Sequence, residues 1–414
     1  MFPSSTASAF FTAAESSPDL THRHTQVALA RSQLFDHDAD SDLVPKGMPQ
    51  GLSQWLWRSW QRCLQAGRHP RDSVEFEAIN RHAVRQSQQQ SAMLIEAARP
   101  VMTQLVAAVA SLRYFCLLTN QQGTVLEVQG PVDAADRRAQ AVGRVGVDLS
   151  ESGVGTSAIG ATLAEQAPVW LHQHEHFFEA LGAYSCAGAP IFDPQGQCIG
   201  MLDITGIDVP ERPELMHLAL RCARAIEDRL LRAQPHALLL HINWPGGALG
   251  QEGEGLLALD EDGVVLGSNA MARQLVPRPL CPPSQPLHCA QLIALPWPVL
   301  YERALQRPNE PLPIPLWSGL RLHALAQPGP LLRNLYAAPK ASTQTSHANP
   351  ARTVSALKTT QQVLIQQALA DARGNVSQAA KALGIGRATL YRKLAPNNKL
   401  VSNQQVVSPP QKIL

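Results

Sequence analysis

Arg387, Thr389, Tyr391, Arg392 and Lys393 fall within one seven-residue stretch. Guanidinium groups present forked donors that match guanine edges and phosphates, ammonium groups neutralise phosphates, and hydroxyls contact either. These side chains suit the groove of double-stranded DNA if one helix presents them together. The spacing predicts that helix over residues 387–394, with Leu390 and Leu394 turned inward one turn apart and Gly386 at its start. A first helix is predicted from Asn375, whose side chain can accept from an early helix N–H while Gln378 reaches back. Its apolar side carries Val376, Ala379, Ala380, Ala382 and Leu383, and Gly384 stops it. Two helices joined by a glycine turn make a helix-turn-helix. Residues 341–414 hold nine Lys or Arg against one acid, Asp371, although the whole chain has a formal net charge of only +2. A basic segment on a near-neutral chain is an electrostatic footprint for nucleic acid.

Two other sets could do chemistry. His172, His174 and His176 alternate, and on one strand they would share a face as a zinc or iron site. Only Leu171 and its neighbours read as strand, so the expectation is a polar loop with solvated histidines and no metal. The seven cysteines are scattered without CxxC pairs, the usage of a cytoplasmic protein. Cys116, Cys186 and Cys198 share one predicted domain, but two of them lie in predicted strands, where a buried thiol is inert. Catalytic residues, enzyme activity and cofactors are not expected.

The 414 residues suffice for two to four domains. No apolar run reads as membrane-spanning and the N-terminus lacks a secretion signal, so a cytoplasmic location is expected. Residues 1–46 read as mostly disordered, apart from a short helix near 25–35. Residues 47–110 read as helical, with one helix over 51–67 and another over 76–110 interrupted near Pro100. Residues 111–232 read as mixed α+β. Two hairpins turn at Asn120-Gln121-Gln122-Gly123 and Asp193-Pro194-Gln195-Gly196. Between them lie a helix over 156–165 capped by Thr156, a strand over 168–171 and a helix over 176–181. An amphipathic helix over 214–231 closes the domain. Residues 254–275 read as strand, Asp-Gly turn, strand and helix, and later strands fall at 312–316 and 320–325 beyond a proline-rich loop at 275–298. Residues 337–353 form a flexible linker, 354–396 the helix-turn-helix and 397–414 a tail.

The stretch GNVSQAAKALGIGRATLYRKL resembles the Fis-type helix-turn-helix at the C-terminus of bacterial enhancer-binding activators, over 357–394. Gly386 departs from the Ser or Asn usual there. The segments VGVDLSESGVGTSAIGATLAEQAPV, EHFF and YSCAGAPIFDPQGQCIGMLDITG resemble the GAF domain of the acetoin-catabolism-regulator family, a group of sigma-54-dependent activators. The pattern of Ser59-Trp60, Arg62, Gly67 and Pro70 resembles its N-terminal segment, and residues 254–275 resemble the start of its PAS domain. The implied fold is multidomain α+β: a GAF sensor with an antiparallel sheet and helices, a small degenerate PAS-like segment at 236–336, and an all-α Fis-type domain. The resemblance implies a pocket for a small effector between the sheet and the segments 151–156 and 184–186. Glu151, Ser152, Thr156, Tyr184 and Asp203 would supply its polar groups. It also implies a homodimer, paired through a leading helix at 357–372, that binds a specific DNA site.

Typical members carry an AAA+ ATPase ahead of the helix-turn-helix. This sequence leaves no room for one there and contains no G-x-x-x-x-G-K-[ST] loop to hold phosphates. The expected function is a ligand-responsive transcription regulator without ATPase activity, acting on DNA or with RNA polymerase. The alternatives are an interaction protein that forms mixed dimers with a full-length paralogue, and a methionine sulfoxide reductase.

Overall fold

The computed structural model describes residues 18–35, 48–49, 51–276, 286–336, 368, 376–383, 386 and 390. The chain divides into two compact units, Met1–Pro330 and Leu331–Leu414.

The first unit holds two five-stranded antiparallel sheets. The first comprises β1 (Tyr114–Asn120), β2 (Val125–Gln129), β3 (Val169–His172), β4 (Tyr184–Phe192) and β5 (Cys198–Ile207) in the order β2-β1-β5-β4-β3. Its inner strands are buried on both faces, which explains apolar runs such as Tyr114–Leu118. Alternation sends Phe115, Leu117, Tyr184 and Cys186 into one core and Tyr114, Cys116, Leu118 and Ala187 into the other. Both hairpins form where the turn residues placed them. Asn120 Oδ1 accepts from the backbone N–H groups of Gln122 and Thr124, and Asp193 Oδ1 from those of Gln195 and Gln197. Gly123 and Gly196 close these turns at φ +84° and +87°, where other residues would be strained.

Helices α1 (Pro18–Phe35) and α2 (Gln54–Gln65) belong to the first core. The N-terminal helix is therefore longer than expected and packed: Val27 and Ala30 are buried, and Phe35 meets the rings of Trp60 and Phe177. Single-face burial of a few apolar residues amid polar ones gave this helix little signal.

The expected break near Pro100 is corrected. Helix α3 (Arg81–Gln90) ends at Ser91, α4 (Ala92–Val109) follows, and Pro100 lies inside α4. The expectation that no run could span a membrane also needs correction, because Ala92–Leu112 is long and apolar enough by length and composition. Here it is a core helix, burying Leu94, Ala98, Met102 and Leu105. Across that core, α8 (Leu215–Ala233) covers the same sheet face.

Helices α5 (Arg137–Val142), α6 (Glu151–Val154) and α7 (Ala158–Glu165) flank the other face. The cap of α7 is Ser157, whose hydroxyl accepts from Gly160 N at 3.0 Å; Thr156 does not cap it. Two single 3₁₀ turns, Gln173–Glu175 and Glu179–Leu181, replace the helix expected at 176–181.

The second sheet comprises β6 (Leu238–Asn243), β7 (Gly255–Leu259), β8 (Val265–Ser268), β9 (Leu312–Pro315) and β10 (Arg321–Pro328) in the order β8-β7-β6-β10-β9. The strand-turn-strand-helix reading of 254–275 matches β7, β8 and α9 (Ala270–Leu275). Strand β6 was not foreseen, yet it pairs with both β7 and β10 at the centre. Helix α10 (Trp297–Gln306) was not foreseen either, since prolines precede it and occupy its first turn. Asn269 caps α9 through Ala272 N and donates to Asp228 of α8, tying the sheet to the neighbouring core. Helix α11 (Pro330–Tyr336) follows β10.

In the second unit, α12 (Val376–Ala382) is the first helix of the expected helix-turn-helix. Ala380 and Leu390 are buried against Ala368, Val376 and Leu383, and Leu390 N donates to Gly386 O at 3.1 Å, a helical step. Leu390 thus faces inward, as its spacing required.

Candidate functional site

Residues 184 and 186 share a face of β4, and 203 and 205 share one of β5. Paired in the antiparallel register, these strands bring Tyr184, Cys186, Asp203 and Thr205 to one cavity against Phe76, Val154, Ile159 and His176. Its free volume is only ≈ 30 Å³, room for about one water-sized group. Asp203 is fully buried in its wall. One carboxylate oxygen accepts from the Thr205 hydroxyl, and the other has no partner among the described residues. Burial pushes this carboxyl up to about 7, against the Thr205 hydrogen bond, which lowers it. The Tyr184 hydroxyl donates to Arg138 O at 3.0 Å. His176 Nδ1–H donates to Gln173 O at 2.8 Å, leaving Nε2 as an acceptor, and burial pushes this imidazole down to about 4.

Of the five side chains read as effector-binding, Tyr184 and Asp203 line this cavity; Glu151, Ser152 and Thr156 do not. Glu151 accepts from Arg62 Nε at 2.5 Å and from the Ser59 hydroxyl, which lies 2.8 Å from Thr156 Oγ1. Arg62 also reaches Glu165 at 3.1 Å. Hydrogen bonding to Glu151, first, and attraction to its charge hold the Arg62 guanidinium protonated. These residues join α2 to α6 and α7. Ser152 is exposed and bonds Ser150 at 2.9 Å. Cys186, Thr205 and His176 were missed as lining residues. For the first two, the two-residue spacing from Tyr184 and Asp203 was the available signal.

Cys116 and Cys186 enter opposite cores, so the sheet separates them. Burial pushes both thiols up, away from the thiolate a redox site needs. The alternating histidines are not solvated as a set, which corrects the expectation of a polar loop. His172 and His176 are buried and only His174 is exposed. They also diverge: His176 lines the cavity above, whereas His172 opens with His174 onto a cleft beneath α1. Arg387, Thr389, Tyr391, Arg392 and Lys393 lie outside the described residues; Gly386 is exposed.

Two family models match. One, described as "Bacterial regulatory protein, Fis family", covers residues 356–395, and one for the MimR N-terminal domain covers residues 27–228. The acetoin catabolism regulatory protein of Cupriavidus necator is 33% identical over 229 residues, 53% of this chain and 34% of that protein. The propane 2-monooxygenase operon transcriptional activator MimR of Mycolicibacterium smegmatis is 27% identical over 219 residues, 50% of this chain and 36% of that protein. Among solved structures, the Escherichia coli DhaR(N)–DhaL complex aligns at 14% identity and a TM-score of 0.41, covering 67% of this chain and 100% of that one. The chain is homologous to acetoin-catabolism regulators and MimR activators, and its residues 356–395 match the Fis-family regulatory model. The chain spans about a third of the length of these curated relatives.

Proposed function

We propose that this protein is a transcription regulator that binds a specific DNA site as a homodimer through residues 354–396. The observation that carries the reading is the Fis-family match at residues 356–395, which falls on the basic segment. Arg387, Thr389, Tyr391, Arg392 and Lys393 contact the groove, and Gly386 opens the recognition helix close to the backbone. The dimer reads two half-sites about one helical turn apart.

Residues 111–232 serve as a GAF-type sensor. The cavity at Tyr184 and Asp203 supports this role, because it combines apolar walls with few polar groups. The free oxygen of Asp203 offers a small effector one polar contact, accepting from it when the carboxylate is ionised and donating to it when the acid is protonated. The present volume demands that the walls part to admit it, and such an opening is the kind of two-state change an effector can bias. Glu151 and Thr156 do not line the cavity; their bonds to Arg62 and Ser59 hold α2 against α6 and α7. Residues 236–336 act as a PAS-like packing module. Regulation proceeds by occupying DNA or recruiting polymerase without ATP hydrolysis, a reading supported by the lack of a phosphate-binding loop in the sequence.

Arg387→Ala tests the DNA contact. If Arg387 makes a bidentate base contact, affinity for the specific site falls by about 1–3 kcal/mol while affinity for random DNA changes little. Equal loss on both DNAs, read by fluorescence anisotropy, would assign Arg387 to phosphate instead.

A further inference from the structure

His24 lies on α1, His172 ends β3, and Glu211 stands in the loop before α8. Three segments distant in sequence thus bring two imidazoles and a carboxylate to one cleft of ≈ 430 Å³. Their ligand atoms lie within 4.8 Å of one another, and His24 Nε2 is 2.9 Å from Glu211 Oε2. His172 Nδ1 is 3.0 Å from Ser185 Oγ, a bond that orients the ring and leaves Nε2 for a ligand. The other oxygen of Glu211 is buried with no partner among the described residues. A carboxylate oxygen stripped of water with nothing in its place is costly unless a cation meets it.

We propose that His24, His172 and Glu211 form a binding site for one divalent transition-metal ion of the zinc type. Two nitrogens and one oxygen suit zinc, cobalt or nickel and are poor for calcium or magnesium, which take oxygen ligands. Three protein ligands leave a fourth position open to the cleft. The neighbouring cations are already engaged: Arg23 pairs with Glu175 at 2.6 Å over the Trp170 ring, and Arg31 donates to the carbonyls of His174, His176 and Phe177. Bonds of about 2.0–2.2 Å hold ligand atoms closer together than 4.8 Å, so one ligand must swing inward. His24 can do so, since its side chain is 48% exposed. A bound ion would then pin α1 to the first sheet.

The test uses the full chain, stripped with a chelator and titrated with Co²⁺, with absorbance reporting the site and atomic emission the stoichiometry. One equivalent should bind with visible bands that Zn²⁺ abolishes. His24→Ala and Glu211→Gln should each weaken it by at least about tenfold, since even outer-shell changes at metal sites cost that much. His174→Ala, in the same cleft, should leave it unchanged. Circular dichroism establishes that the variants fold. Absence of a cobalt spectrum in the parent chain, survival of binding in both variants, or an equal loss with His174→Ala would overturn the assignment.

Discussion

Trp60→Ala is expected to destabilise the first unit by about 3–5 kcal/mol, the range for deleting a buried large aromatic. Trp60 is fully buried on α2, its ring meets Phe35 of α1 at 5.4 Å, and its indole N–H donates to Glu175 O at 3.0 Å. Truncation leaves a cavity where three segments meet and orphans that carbonyl. The loss should also loosen α1, whose apolar side rests on the same cluster. Trp55→Ala, on the half-buried side of α2, should lose far less. Urea denaturation followed by circular dichroism measures both. A loss under about 1 kcal/mol for Trp60→Ala would mean that α2 is not part of the core.

The second large effect concerns Asp203. In the unfolded chain an Asp releases its proton near pH 4, whereas the folded protein holds this one to about 7. The folded state therefore binds more protons between those values. The sign follows: the carboxyl's contribution to stability is fully present below about pH 4 and is lost as pH rises through 7. The difference between the two states corresponds to roughly 4 kcal/mol. Asp203→Asn keeps the shape and cannot ionise. The variant should gain stability relative to the parent as pH rises from 4 to 8, with most of the change below 7. Part of the gain is offset because the new amide N–H₂ needs acceptors in the cavity. Glu227, also buried and raised to about 7, titrates in both proteins and cancels in the difference. Melting temperatures of the pair across this pH range give the answer. A pH-independent difference would show that the Asp203 carboxylate is ionised throughout.

Local chemistry made much of this fold legible. The Asn120 and Asp193 turns fixed two hairpins because each side chain satisfies its own turn's backbone, and such bonds need no tertiary partner. Leu390 faces inward because one helical turn dictates it. Long-range pairing was not legible. Nothing in Leu238–Asn243 announces that β6 will sit between β7 and β10. Thr156 and Ser157 are adjacent potential caps, and contact with Ser59, 97 residues away from Thr156, decides between them. The same limit governs the site. Glu151 reads as a pocket acid until Arg62 and Ser59 of α2 claim it. His172 reads as one of an alternating trio until α1 delivers His24 beside it.

We propose that the basic segment binds specific DNA. Fluorescence anisotropy with DNA from upstream of the protein's own gene, against random DNA of equal length, tests it most directly. The full chain should bind tightly and prefer the specific sequence, with affinity falling steeply as salt rises because neutralised phosphates release counterions. A chain ending at Lys340 should lose that binding. Failure of the full chain to bind at low salt, or equal binding by the chain ending at Lys340, would mean that this segment is not the DNA-binding element.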